Sequence, residues 1–116
     1  MNQTTHLDLN LLQGYIDNLG QSIVQQMLDL YIGQSAIYLG EITETVAADK
    51  QKLWQESCHK MKGAAGSVGL LLVHKKLAAI EKSDEAEATK LAYLAELNEL
   101  NTTAYNEFSA WLSKAV

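Results

Sequence analysis

The absence of proline is the feature of this sequence that most constrains its fold. The 116 residues contain no proline, and leucine, alanine, glutamine, glutamate and lysine, which favour helices, are abundant. Proline interrupts a helix because it lacks the backbone N–H and clashes with the preceding turn. Runs of β-branched residues, which favour strands, are few. The sequence therefore predicts an all-α protein.

Glycines and capping residues divide the first half of the chain into helices. We expect Asp8 to cap a short first helix that ends at Gly20, since glycine readily adopts the left-handed conformation found after helices. Ser22 and Gln25 form a capping-box pattern, in which each side chain satisfies a free backbone donor. This pattern predicts a second helix that runs from Ser22 to about Ala48.

The second half of the chain predicts three more helices. The third would begin at Asp49 as N-cap and run through Ala65, and the fourth would cover residues 70–80. The last would start at Asp84, with Glu87 completing the cap, and extend for about 30 residues, or roughly 45 Å. Helices joined by short connections pack as antiparallel neighbours. We therefore predict an antiparallel four-helix bundle with a short additional N-terminal helix, in a single domain of residues 1–116.

Charge, apolar runs and cysteine content indicate which kinds of partner and environment are disfavoured for this chain. The formal net charge is −5, which disfavours binding to a nucleic-acid backbone. No apolar run approaches the roughly 20 residues that span a bilayer, and the first residues lack the pattern of a signal peptide. Cys58 is the single cysteine, so no internal disulfide forms. We expect a monomeric cytoplasmic domain without membrane contact, either free or as the cytoplasmic part of a longer, membrane-anchored protein.

The chemistry-bearing segment lies on the predicted third helix. At 100° per residue, His59 stands opposite the apolar face of this helix. The residues within about 60° of it are Lys52, Gln55, Glu56, Lys62, Gly63 and Gly66.

Two glycines and a lysine accompany His59 on this face. Glycine inside a helix costs about 0.5–1 kcal/mol, so Gly63 and Gly66 suggest a surface cleared for the approach of a partner or of a phosphoryl group. Lys62 places a positive charge near the ring, where it would stabilise such a group. Each feature alone has an ordinary explanation: a surface histidine, glycines at a helix end, a solvated lysine. Together on one face they indicate phosphoryl transfer to an imidazole.

The segment from His59 to Gly69, with Lys62, Gly63 and Gly66 at the intervening positions, resembles the signature of histidine-phosphotransfer (HPt) domains. The resemblance implies that His59 accepts a phosphoryl group, that Lys62 assists, and that both intervening glycines leave room for a receiver domain. Family members often carry Glu or Gln late in the following helix. Here that residue is Glu81, which would accept the second ring N–H; the alternative is a solvated charge at a helix end.

The likeness is greatest to the C-terminal HPt domain of tripartite hybrid sensor kinases. It implies that a receiver-domain aspartate supplies the phosphoryl group and that the aspartate of a response regulator receives it. We expect receivers to dock on a face that also includes Lys52, Gln55 and Lys60. The chain has no glycine-rich nucleotide loop and no acidic cluster for Mg²⁺. It is thus predicted to be a phosphocarrier and not an enzyme, with no cofactor, and ATP and Mg²⁺ would belong to partner domains.

Two alternatives stay open on the sequence. One is the phosphoryl-accepting N-terminal domain of a chemotaxis-type histidine kinase, which a kinase domain phosphorylates directly. The other is a helical adaptor bundle in which His59 is never phosphorylated and a metal or a partner helix binds instead.

Overall fold

The computed structural model describes residues 5–114. The predicted domain of residues 1–116 therefore extends beyond the described range at both ends. Within that range the chain is almost entirely helical, and the all-α prediction is confirmed. The α-helices are α1 (Leu9–Leu19), α2 (Gln21–Glu44), α3 (Gln51–Ser67), α4 (Leu71–Ile80) and α5 (Glu87–Ser113), and a short 3₁₀ turn spans Ala48–Lys50.

Helices α2 to α5 form the predicted four-helix bundle. In cyclic order, α2 packs on α3, α3 on α4, α4 on α5, and α5 on α2, while α1 packs on α2. The bundle surrounds one core of buried apolar side chains. None of the helices in the described range is both long and apolar enough to cross a membrane.

The short helix α1 covers the turn between α3 and α4. Gly69 in this turn has a φ of 73°, and the side chain of Leu12 lies 3.4 Å from the position that a Cβ on Gly69 would occupy. Tyr15 donates a hydrogen bond from its hydroxyl to the Ser67 carbonyl at 2.8 Å. Before α1, the Asp8 N–H donates to the Gly69 carbonyl at 2.8 Å. These contacts fix the end of α3, the helix that carries His59.

The first helix boundary follows the sequence prediction, but the capping box does not form. Asp8 accepts a hydrogen bond from the Leu11 N–H at 3.2 Å, and Gly20 ends α1 with a φ of 88°. The same glycine directly precedes α2, which begins at Gln21 without a side-chain cap. Because a single residue makes the turn, Ser22 already lies inside the helix and cannot cap it.

Three other predicted boundaries are also wrong. Helix α2 ends at Glu44 and not near Ala48. Asp49 lies inside the 3₁₀ turn, so Lys50 and not Asp49 precedes α3. The last helix begins at Glu87, since Asp84 belongs to the link after α4. Helix α5 has 27 residues, which corresponds to about 40 Å.

Helix α3 has the two faces that its periodicity predicts. Trp54, Cys58, Met61 and Ala65 are all fully buried, at spacings of four, three and four residues. This pattern places one stripe of α3 in the core. His59 lies on the opposite, exposed side of the helix.

Candidate functional site

The imidazole of His59 projects from the middle of α3. Its side chain is 72% exposed, and its Nδ1 lies 3.5 Å from Oε1 of Glu81. Since the two nitrogens lie on different edges of the ring, Nε2 is the nitrogen directed away from this carboxylate. The site therefore presents one ring nitrogen to the protein and one to the outside.

Glu81 comes directly after α4 and is buried, with 8% of the residue exposed. Its Oε2 accepts a hydrogen bond from Lys62 Nζ at 3.0 Å. Its Oε1 is also buried, and among the described residues it has no hydrogen-bond partner. At 3.5 Å, His59 Nδ1 is the facing polar atom but is slightly too distant for an ordinary hydrogen bond. Because Glu81 is buried, it is not the solvated charge at a helix end that the sequence left as an alternative.

Two opposing effects act on the Glu81 carboxyl. Burial raises its pKa, because a charged group loses hydration. The hydrogen bond and charge of Lys62 lower it, the nearby His59 ring lowers it further, and together they outweigh burial. The pKa of Glu81 therefore lies below its ordinary value, and the group is a carboxylate at neutral pH.

Lys62 is held by this carboxylate. Its side chain is 20% exposed and lies, with His59 and Glu81, along the same open depression on the surface. The lysine is thus joined to the histidine through Glu81, a link between α3 and the end of α4.

The depression contains one cation that the sequence did not predict. Its walls are formed by Gln55, Glu56, His59, Lys62, Glu81 and Lys82. Lys82 follows Glu81 and is exposed. It would have been found only by first placing Glu81 beside the histidine, because it lies on a different element from His59. Two lysines and the free edge of the imidazole therefore face the same open space.

The two glycines of the His59 face have different surroundings. Apart from its chain neighbours and the backbone of its own helix, nothing lies within 4 Å of the position of a Cβ on Gly63, which is open as expected. A Cβ on Gly66 would lie 3.1 Å from Cδ2 of His74, a residue of α4. Gly66 therefore also has a packing role, and the expectation that it leaves room for a receiver stays a prediction. Its small size lets α4 pack against α3.

The remaining predicted contact residues do not form one cluster. Gln55 lines the depression, whereas Lys52 is exposed outside it. Lys60 extends towards α2, where its Nζ lies 3.5 Å from Oε1 of Glu41. In the described part of the chain, no three His, Cys, Asp or Glu residues are grouped so that they could hold a metal ion.

Comparison with known proteins adds independent information. A model of the Hpt domain family matches residues 26–105, a range that includes His59, Lys62 and Glu81. The histidine-containing phosphotransfer domain of ArcB from Escherichia coli has a similar structure, with a TM-score of 0.82 and 27% sequence identity. The similarity covers 95% of each chain. No curated protein was found to match the sequence.

Proposed function

The chain belongs to the Hpt domain family, and we propose that it is a phosphorelay intermediate in which His59 carries the phosphoryl group. Hpt domains are phosphocarriers of two-component systems, so histidine phosphotransfer is the general role of this chain. That role disfavours the adaptor bundle. The single observation that supports His59 as acceptor is its orientation: Nδ1 faces the buried Glu81 carboxylate, and Nε2 faces the open depression.

In the proposed reaction, the neutral imidazole keeps its proton on Nδ1, towards Glu81. The Nε2 lone pair attacks the phosphorus of an aspartyl phosphate in a receiver domain. The N–P bond forms as the P–O bond breaks, and the aspartate leaves as a carboxylate. The ring then carries both the phosphoryl group and the Nδ1 proton, and the Glu81 carboxylate stabilises its positive charge. Attack by a second receiver's aspartate reverses these bond changes.

Lys62 and Lys82 are proposed to stabilise the transferred group. Both line the depression into which Nε2 points. Ammonium groups stabilise the negative charge of the phosphoryl oxygens, and catalysis of this reaction is mainly positioning and charge stabilisation. Lys62 would act while still held by Glu81, so its position is defined before the receiver arrives.

A groove between α2 and α3 is proposed as part of the receiver-docking surface. It is formed mainly by apolar side chains, those of Met27, Leu30, Tyr31, Tyr38, Ala64 and Val68, together with Gln34 and Ser67. Leu30 at its rim is 67% exposed. Ser67 at the groove lies one helical turn after Gly63, whose Cβ position is open, so the groove adjoins the cleared surface beside His59. A receiver bound over His59 would cover this apolar area and gain affinity from its burial.

The partners proposed are the receiver domain of a hybrid sensor kinase, as donor, and that of a response regulator, as acceptor. The receivers would hold Mg²⁺ and the upstream kinase would bind ATP, while this domain works as a monomer without a cofactor. We place the relay in the cytoplasm, where ATP is available to the kinase.

Transfer of ³²P from phosphorylated receiver domains tests the proposal. The wild-type chain should become labelled in a form that is stable in base and labile in acid, as a phosphohistidine is. Labelling by a kinase domain with ATP, in the absence of any receiver, would instead favour the chemotaxis-type alternative. No labelling from either donor would contradict the proposed function.

A further inference from the structure

Lys90 is a buried cation that the proposed reaction does not use. It lies on α5 and is 1% exposed. Its Nζ donates a hydrogen bond to Oε1 of Gln51 at 2.6 Å and lies 4.8 Å from the centre of a Trp54 ring. Among the described residues, no carboxylate oxygen lies within 4.0 Å of this ammonium.

An ammonium in this position is a costly way to fill the core. Burying a charge without a counter-ion is unfavourable, and a cation–π contact and one amide oxygen compensate only in part. A methionine of similar length would occupy the space without that cost. What methionine lacks is the ability to donate a hydrogen bond to Gln51, so the orientation of this amide is the specific contribution of Lys90.

The two side chains that Lys90 contacts both hold the end of α4. Gln51 donates from Nε2 to the Ser83 carbonyl at 2.7 Å, and Trp54 donates from Nε1 to the Ile80 carbonyl at 2.9 Å. The Ile80 carbonyl also accepts from the Ser83 N–H at 3.0 Å, so these bonds join the turn after α4 to the start of α3. Ile80 and Ser83 lie on either side of Glu81. The start of α3 is thus attached to the chain on both sides of the carboxylate that faces His59.

We propose that Lys90 is a positioning residue for phosphotransfer, which acts through Gln51 and Trp54 to hold Glu81 beside His59. With the amide of Gln51 oriented by the ammonium, residues 80–83 are fixed against α3, the same helix that carries the histidine. The carboxylate is then held where it selects the Nδ1–H form of the ring. The effect on transfer rests on the proposed function, whereas the effect on the ring tautomer does not.

Lys90→Met in the full chain tests this role. Long-range ¹H–¹⁵N correlation spectra distinguish the two neutral tautomers of a histidine ring, a property that overall stability does not alter. We expect the variant to remain folded, with a smaller population of the Nδ1–H tautomer of His59 and phosphoryl transfer about tenfold slower. A folded variant with unchanged tautomer populations would overturn the proposal.

Lys76→Met is the matched control. Lys76 also lies over an aromatic ring, 5.1 Å from the centre of Tyr93, and pairs with Glu96 of α5. Its ammonium donates to Glu96 and not to residues 80–83. The same substitution there should leave the His59 tautomer unchanged, and an equal change in both variants would refute a specific role for Lys90.

Gln51→Glu tests the hydrogen-bonded path from Lys90 through Gln51 to Ser83 without removing the lysine. This variant also tests the proposal if Lys90→Met does not fold. The new carboxylate can pair with Lys90 but cannot donate to the Ser83 carbonyl. We expect the same loss of the Nδ1–H tautomer of His59. Wild-type tautomer populations in this variant would contradict a role for the path through Gln51. If the wild-type chain accepts no phosphoryl group, the proposed function fails, but the tautomer measurement still decides the role of Lys90.

Discussion

The ammonium of Lys62 donates a hydrogen bond to the carboxylate of Glu81 at 3.0 Å, between α3 and the end of α4. Both side chains are largely buried, 20% and 11% exposed. Lys62 therefore has a structural partner in addition to its proposed role towards the phosphoryl group. Its removal should affect both the stability of the fold and the rate of transfer.

Lys62→Ala should slow phosphoryl transfer and also destabilise the protein. Removing an ammonium that acts on the phosphoryl group should lower the rate by about one to two powers of ten, and loss of a hydrogen bond between charged groups should cost about 1–3 kcal/mol. Stopped-flow transfer from a phosphorylated receiver measures the first effect and urea unfolding the second.

Lys60→Ala is the control for Lys62, on the same helix but a different face. Lys60 forms an exposed pair with Glu41, worth about 0–1 kcal/mol. The Lys60→Ala substitution should therefore change the rate of phosphoryl transfer and the free energy of unfolding only slightly. Equal rate losses at the two lysines would show a general electrostatic effect on receiver encounter, and the specific role of Lys62 would have to be withdrawn.

Glu81 should make stability depend on pH in the acid range. Its pKa is lower in the folded protein than in the unfolded chain, where it is about 4.3. The stability that it contributes is therefore complete above about pH 4.3 and is lost as the pH falls through the lower, folded value. Glu81→Gln should remove this part of the acid-induced loss of unfolding free energy. Identical pH profiles for the variant and the wild type, measured by urea unfolding, would be inconsistent with a charged, paired Glu81.

Gly63 and Gly66 should respond differently to alanine. Gly63→Ala meets open space and should stabilise the fold by up to about 1 kcal/mol, while the bulkier Gly63→Gln should slow transfer. Gly66→Ala should stabilise the fold less than Gly63→Ala does, or should destabilise it, because His74 must move. In a His74→Ala background, Gly66→Ala should recover the gain seen at Gly63. Thermal unfolding of the set measures this, and an equal gain with and without His74 would contradict the packing role.

Leu30→Ser should weaken receiver docking without unfolding the bundle. Leu30 is 67% exposed at the apolar groove, so its substitution should leave no cavity in the free protein and should raise the KM for the receiver. Leu91→Ser on α5, where the leucine is 51% exposed, is the matched control and should leave the KM unchanged. A higher KM only for the Leu91 variant would place the receiver on another face.

The position of His59 was predictable because it depends on one helix alone. The burial of Trp54, Cys58, Met61 and Ala65 follows the periodicity of α3, and this periodicity directs the imidazole outwards. The helix starts were less predictable. Ser22, Asp49 and Asp84 are residue types that favour both caps and turns, and the turn at Gly20, the 3₁₀ turn and the link after α4 determine which occurs.

Relations between helices were the part that the sequence could not supply. The contact of Glu81 with His59 was anticipated only through the family resemblance, and the packing of His74 on Gly66 was not anticipated. Both depend on how α4 is rotated and placed against α3, which the periodicity of either helix leaves undetermined. The burial of Lys90 is of the same kind, because its partner Gln51 lies on another helix.

The most direct test of the account compares His59→Gln with the wild type for acceptance of a phosphoryl group from a phosphorylated receiver. Because the side chain is 72% exposed, its replacement should leave no cavity, and circular dichroism should show an unchanged fold. The account predicts acid-labile, base-stable label on the wild type and none on the variant. Undiminished labelling of a folded His59→Gln variant would contradict it.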